Sequence, residues 1–169
     1  SLPQVAVSSI RTEDFLAQNW RWSRPIVITP SGIDDKDTCI LPESVKVKGK
    51  NYWMILHRIG TDICADYIDS LDFEKNKAKK CIQILKPRKG MWDSEKVGIS
   101  APPIKTKYGW LLLYHGISKN HHTYRIGASL LSLSDPTMII ARSADPILEP
   151  EEVFEKSGLV PNVVFPCGM

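Results

Sequence analysis

Apolar residues in this chain come in short runs separated by prolines, glycines and charged clusters, with no sustained 3.6-residue period. Six stretches read as β-strands from their aliphatic and aromatic content: residues 5–10, 25–30, 52–59, 109–117, 125–133 and 159–166. Trp110 to Tyr114 is an unbroken bulky run of the buried-strand kind, and it ends on His115 with Gly116 behind it. Helix is limited to one turn within residues 12–18, with Thr12 as its cap. The charged segment 69–80, DSLDFEKNKAKK, reads as a solvated connector.

The runs repeat. Pro42, Pro103 and Pro166 are 61 and 63 residues apart and each reads as the start of a unit. After the first two, KGKNYWMILHR and KYGWLLLYHG pass from a Lys/Gly turn through aromatics into an aliphatic run, reaching His57 and His115, 58 residues apart. A recurring small β unit is the pattern of a β-propeller, here with a period longer than the ~40–50 residues of the common repeat families. In such a fold, strand ends face a central axis, so units ending in LHR and YHG would bring basic groups together.

Composition narrows the class. The chain has 169 residues, the size of one domain, and 43% of them are hydrophobic. A net charge of +3 is too mild for a nucleic-acid or membrane-surface partner, so any functional cation must act locally. Cys39, Cys64, Cys81 and Cys167 show no CxxC spacing and read as free thiols in a reducing cytosol. His57, His115, His121 and His122 show no zinc-type spacing, so no metal site is expected. No apolar stretch reaches the roughly 18 residues of a membrane span, and no signal-type start is present. These features place the chain in the cytoplasm; its start on SLPQVAVSSI reads as a piece of something longer.

Arg58, His115 and Lys96 are the candidate chemistry. A guanidinium fork, an imidazole and an ammonium converging on one point would hold a tetrahedral oxyanion, each charge-assisted bond contributing roughly 1.5–3 kcal/mol. Trp92 and Asp93 suit either a sugar site or plain packing. His121 and His122 read as a solvated loop tip, and Asp34–Asp37 (DDKD) as an exposed turn that could edge a site.

Six stretches together resemble glycoside hydrolase family 130: DDKDTCILPE, LHR, WDSEKVGISAPPIKTKYGWLLLYHG, YRIGASLLSLSDP, ARSADPILEPEE and VPNVVFPCG. The resemblance runs from about Val5 to Met169. It implies a five-bladed, all-β propeller of which residues 1–169 form a partial catalytic domain of roughly three blades, truncated at both ends. It implies inverting phosphorolysis of β-mannosides to α-mannose 1-phosphate, with inorganic phosphate as co-substrate, no cofactor, an oligosaccharide substrate and a homo-oligomer as one arrangement. By motif, Arg58, Lys96 and His115 resemble the family's phosphate ligands, with Tyr124 and Lys36 as weaker additions; Trp92 and Asp93, read from their chemistry alone, are the sugar-side candidates. The family's acid is an aspartate in a Glu-Asp-Pro-Arg type motif that this sequence lacks. It is expected upstream, Asp135 and Asp145 match only connecting segments, and the chain alone is expected to be inactive. A hydrolytic β-mannosidase and a non-catalytic sugar- or phosphate-binding fragment are the alternatives. The motif style leans to β-1,2-linked mannosides.

Overall fold

In the computed structural model, which describes residues 2–120 and 122–169, strands account for nearly all regular structure. A short pair, β1 (Ala6–Val7) and β2 (Ile26–Val27), flanks the one-turn helix α1 (Thr12–Leu16). Two five-stranded antiparallel sheets follow, built to one plan. The first holds β3 (Asp35–Ile40), β4 (Val45–Val47), β5 (Lys50–Ile59), β6 (Asp62–Ile68) and β7 (Ile82–Leu85). The second holds β8 (Lys96–Ile99), β9 (Ile104–Thr106), β10 (Gly109–Ile117), β11 (Tyr124–Leu131) and β12 (Ile139–Arg142). A short helix α2 (Val153–Lys156) comes last. In each sheet the first two strands share one side of the longest strand, and the remaining two extend the other side in order.

Proline chemistry explains the repeat differently from the sequence expectation. Pro42 lies between β3 and β4, and Pro103 between β8 and β9, so each interrupts an edge strand instead of opening a unit. Proline has no N–H to give the ladder. Residues 159–166 were expected to form a strand. They carry only an isolated parallel bridge from Val163 to Tyr124, because Pro161 and Pro166 cannot donate and Asn162 sits at φ 59°. Gly49, at φ 85° beside Lys48 at φ 49°, supplies the positive dihedrals of the tight β4–β5 hairpin.

Three smaller readings also change. Thr12 is inside α1; Arg11 is its cap and makes no side-chain capping bond. DDKD is not an exposed turn, since Asp35 opens β3 and is wholly buried. Cys64 and Cys81 are joined as a disulfide, with Cα atoms 4.9 Å apart. The β6–β7 ladder, which pairs Cys64 with Gln83, creates that proximity, and no local spacing announces it. Cys39 is free and buried, and burial pushes its thiol up to about 12. Segment 69–80 is irregular as expected, and no helix among the described residues is long and apolar enough to cross a membrane.

The main core lies between the sheets. Met54, Leu56, Ile63 and Leu85 of the first join Val97, Trp110, Leu112 and Tyr114 of the second, all essentially inaccessible. Side chains of this kind contribute roughly 1.5–3 kcal/mol each on burial. Alternation along β5 sends Ile55 to the opposite face, where it packs with Ile68 and Ala78.

The connection from β7 to β8 is pinned by one carboxylate. Asp93 has no exposure. Its oxygens accept Arg88 Nη2 at 2.8 Å, Arg142 Nη2 at 2.6 Å and the Tyr114 hydroxyl at 3.0 Å. Arg88 and Arg142 also reach the Ser143 and Lys86 carbonyls, and Trp92 stacks on Tyr114 with ring centroids 5.6 Å apart. Removing a buried partner leaves two guanidinium groups uncompensated. Asp93→Ala is therefore expected to cost about 3 kcal/mol in urea unfolding, and a change below about 1 kcal/mol would refute the pinning role.

Candidate functional site: a basic cluster between the two sheets

Met54 and Leu56 point from β5 into the inter-sheet core, and Arg58 continues the same row. His57 leaves the other face. Its Nδ1 lies 2.8 Å from the buried Asp35 Oδ2 and its Nε2 3.2 Å from the Lys80 carbonyl. Of the two histidines that repeat at 58-residue spacing, only His115 therefore meets Arg58's surroundings.

Arg58 is only 4% exposed. Its Nε donates to Asp37 Oδ2 at 2.6 Å, and its Nη1 donates to the Gly60 carbonyl. His115, projecting from β10, brings Nε2 to 3.6 Å from the same Asp37 oxygen. This approach crosses β8 at Gly98, the register partner of His115. A Cβ on Gly98 would stand 2.3 Å from His115 Cε1, 2.5 Å from Nε2 and 2.5 Å from Asp37 Oδ2. No side chain fits there, and the glycine is the opening through which imidazole and carboxylate meet.

The remaining candidates gather around the same point. Lys36 is the register partner of Arg58 on β3, and Lys96 opens β8 opposite Ile117. The Lys96 ammonium is 5.5 Å from the Tyr124 ring centroid, and the Tyr124 ring is 5.8 Å from that of His115. Phe165 covers His115 from the C-terminal segment at 4.7 Å between centroids. Burial drives the His115 pKa down to about 4, reinforced by the Arg58, Lys96 and Lys36 charges and opposed by Asp37. The ring is thus neutral at pH 7, and its buried Nδ1 has no partner among the described residues. Three cations against one carboxylate leave two net positive charges, which suits a doubly charged tetrahedral oxyanion.

Trp92 and Asp93 are placed differently. Asp93 has no exposed lone pair, being held by Arg88, Arg142 and Tyr114. Trp92 lines a cleft of about 760 Å³ with Ser118, Arg125 and Glu149 among its other walls. A second cleft of about 510 Å³ has Asp37, Thr38, Ser100 and Phe165 in its walls and adjoins the basic cluster through Asp37. His122 is exposed, with Nδ1 3.3 Å from Glu95 Oε2, and His121 lies outside the described residues. Sequence reasoning singled out neither Gly98 nor Phe165, and noted Asp37 only as part of the DDKD run. The run DDKD carried a signal for Asp37, while Gly98 and Phe165 acquire their positions only from the packing of separate strands.

The profile of glycoside hydrolase family 130, described as β-1,4-mannooligosaccharide phosphorylase, matches residues 22–169. A 1,2-β-oligomannan phosphorylase of Thermoanaerobacter sp. (strain X514) is 45% identical over 148 residues, covering 87% of this chain and 46% of that protein. A β-1,2-mannobiose phosphorylase from Listeria innocua, solved in complex with β-1,2-mannobiose, superposes with a TM-score of 0.67 at 40% identity, covering 80% of this chain and 37% of that one. A structure reported for GH130 glycoside hydrolases that target β-1,2 mannosidic linkages in Candida mannan superposes with a TM-score of 0.73 at 23% identity. It covers 99% of this chain and 52% of that one, and shows the fold alone. The chain spans less than half the length of the curated relatives it matches. A family profile across nearly all of the chain and relatives above 40% identity lead to one conclusion: this chain belongs to glycoside hydrolase family 130.

Proposed function

We propose that this chain supplies the phosphate-binding part of an inverting β-mannoside phosphorylase built on a five-bladed β-propeller, with its two matching sheets as two of the blades. The observation that carries the reading is the cluster of Arg58, Lys96 and Lys36 around a neutral His115. Inverting hydrolysis needs a second carboxylate to activate water. Phosphate is already an anionic nucleophile, so cations that hold it take that carboxylate's place. One phosphate oxygen forms a bond to the anomeric carbon as the glycosidic C–O bond breaks. The departing sugar oxygen takes its proton from an acid that this cluster does not contain, in keeping with the upstream aspartate of the family pattern. The product is α-mannose 1-phosphate. β-1,2-linked mannosides are the substrates favoured by the relatives' activities and by the motif style. Tyr124 lies against the Lys96 ammonium and Trp92 in the wall of the larger cleft, positions suited to phosphate and sugar contacts respectively.

Three measurements on the protein containing this chain test the reading. Lys96→Ala should raise the KM for phosphate roughly 10- to 100-fold, the equivalent of one charge-assisted hydrogen bond. Mannose release at an undiminished rate without phosphate would instead identify a β-mannosidase. Gly98→Ala should lower phosphate-dependent turnover at least 100-fold, roughly, while costing only about 1–3 kcal/mol of stability as an overpacked site. Unchanged turnover in this variant would show that the imidazole–carboxylate approach is dispensable.

The third concerns pH. His115 titrates near 4 when folded against an ordinary value of 6.5. Between these values the unfolded chain binds a proton that the folded chain refuses, so stability falls as pH drops from about 6.5 toward 4. His115→Asn should flatten that part of the stability–pH curve, and an identical slope in the variant would contradict a neutral buried imidazole.

A further inference from the structure

Three observations converge on Asp37, which the functional reading leaves without a role. It sits in a β-bulge, where the β3–β5 register shifts between Lys36 and Cys39. Its backbone adopts φ 52°, a left-handed conformation that costs a non-glycine residue about 1 kcal/mol or more. Bulges re-aim side chains, and strain of this kind persists where the surroundings hold it in place. Here the bulge turns the carboxylate toward β8, at the one position where the neighbouring strand carries no side chain.

One oxygen, Oδ2, then serves two partners. It accepts the Arg58 Nε hydrogen at 2.6 Å and faces His115 Nε2 at 3.6 Å. With Arg58 Nη1 held by the Gly60 carbonyl, two of the three guanidinium nitrogens are fixed. A neutral imidazole whose Nε2 faces a carboxylate carries its proton on that nitrogen, because a lone pair there would be repelled. The Nδ1 lone pair is then the free acceptor, and Nδ1 is indeed the unpartnered atom.

We propose that Asp37 is a positioning residue of the oxyanion site, orienting the Arg58 guanidinium and fixing the His115 tautomer through the single oxygen Oδ2. This rests on the reading of the cluster as a phosphate site. A carboxylate beside an anion site would otherwise only weaken binding. Asp37 is largely neutralised by Arg58, and Lys36 and Lys96 remain to attract the ligand. The competing role, a bare counter-charge, predicts tighter phosphate binding when the carboxylate is removed. The positioning role predicts the opposite.

The experiment compares Asp37→Ala and Asp37→Asn in the full-length protein. Under the proposal, Asp37→Ala raises the KM for phosphate at least 10-fold. Asp37→Asn, whose amide oxygen still accepts from Arg58 Nε, recovers most of that loss. An alanine variant with an unchanged or lower KM overturns the proposal, as does an asparagine variant no better than alanine. Nitrogen-15 NMR of the His115 ring supplies a readout independent of turnover and of phosphate use. The wild type and Asp37→Asn should show the Nε2–H tautomer and Asp37→Ala a loss of that preference; an Nδ1–H tautomer in the wild type overturns it. If wild-type protein shows the expected tautomer but no response to phosphate, the phosphate reading fails while the arrangement around Asp37 stands.

Discussion

Met54, Leu56 and Arg58 occupy one row of β5, and the site depends on what that row does. The first two seal the core between the sheets. The third, carried along by the strict two-residue alternation, arrives at the end of the same dry interface with a full positive charge. Burying a guanidinium is expensive unless its hydrogens are matched and its charge is met. Asp37 and the Gly60 carbonyl satisfy it, and Asp37 reaches it only because β3 bulges beside it. Hydrophobic packing thus fixes the position of the cation, and the cation in turn dictates the irregularity of its neighbour.

A second consequence follows for His115. A protonated imidazole among Arg58, Lys96 and Lys36 would add a fourth positive charge to a buried space with one carboxylate in it. Burial and the surrounding charges expel the proton instead. The neutral ring offers one donor and one acceptor, each on a separate nitrogen. With Nε2–H facing Asp37, the free Nδ1 lone pair can take a hydrogen only from a P–OH group of the proposed ligand, while attraction for the anion would come from the lysines, which stay partly exposed. Charge and direction are therefore divided between different side chains.

The strands that carry this arrangement were legible to different degrees. β10 was read with its limits intact and β5 nearly so, because both are long apolar runs ended by turn residues. β3, β8 and β12 were not, since Asp, Lys, Gly and Arg within them hide a strand from any count of apolar residues. Arg58 and His115 stood out as basic residues at the ends of recurring runs, with Lys96 just upstream; Arg58 and His115 meet at Asp37, and Lys96 acts on His115. The recurrence also pointed to His57, which alternation turns away to Asp35. The Cys64–Cys81 pair and the Gly98 opening exist only in the register of one strand against another, which no local pattern encodes. Asp93 combined both cases: its motif drew notice, but only the fold shows Arg88 and Arg142 converging on it from either side.

The division between structural and functional carboxylates bears on the choice between water and phosphate as nucleophile. A water-activating base must present a lone pair to a solvent molecule that it holds. Asp93 has no exposure, and Asp35 is sealed against His57. Asp37 keeps partial exposure, but its Oδ2 is committed to Arg58 at 2.6 Å and is not free to hold a water molecule. Asp35, Asp37 and Asp93 are thus each bound to a basic partner, while Lys36 and Lys96 stay partly exposed beside the cluster. Such a site would stabilise an anion that arrives ready to attack far better than it would generate one from water, and this asymmetry is the physical ground for proposing phosphorolysis.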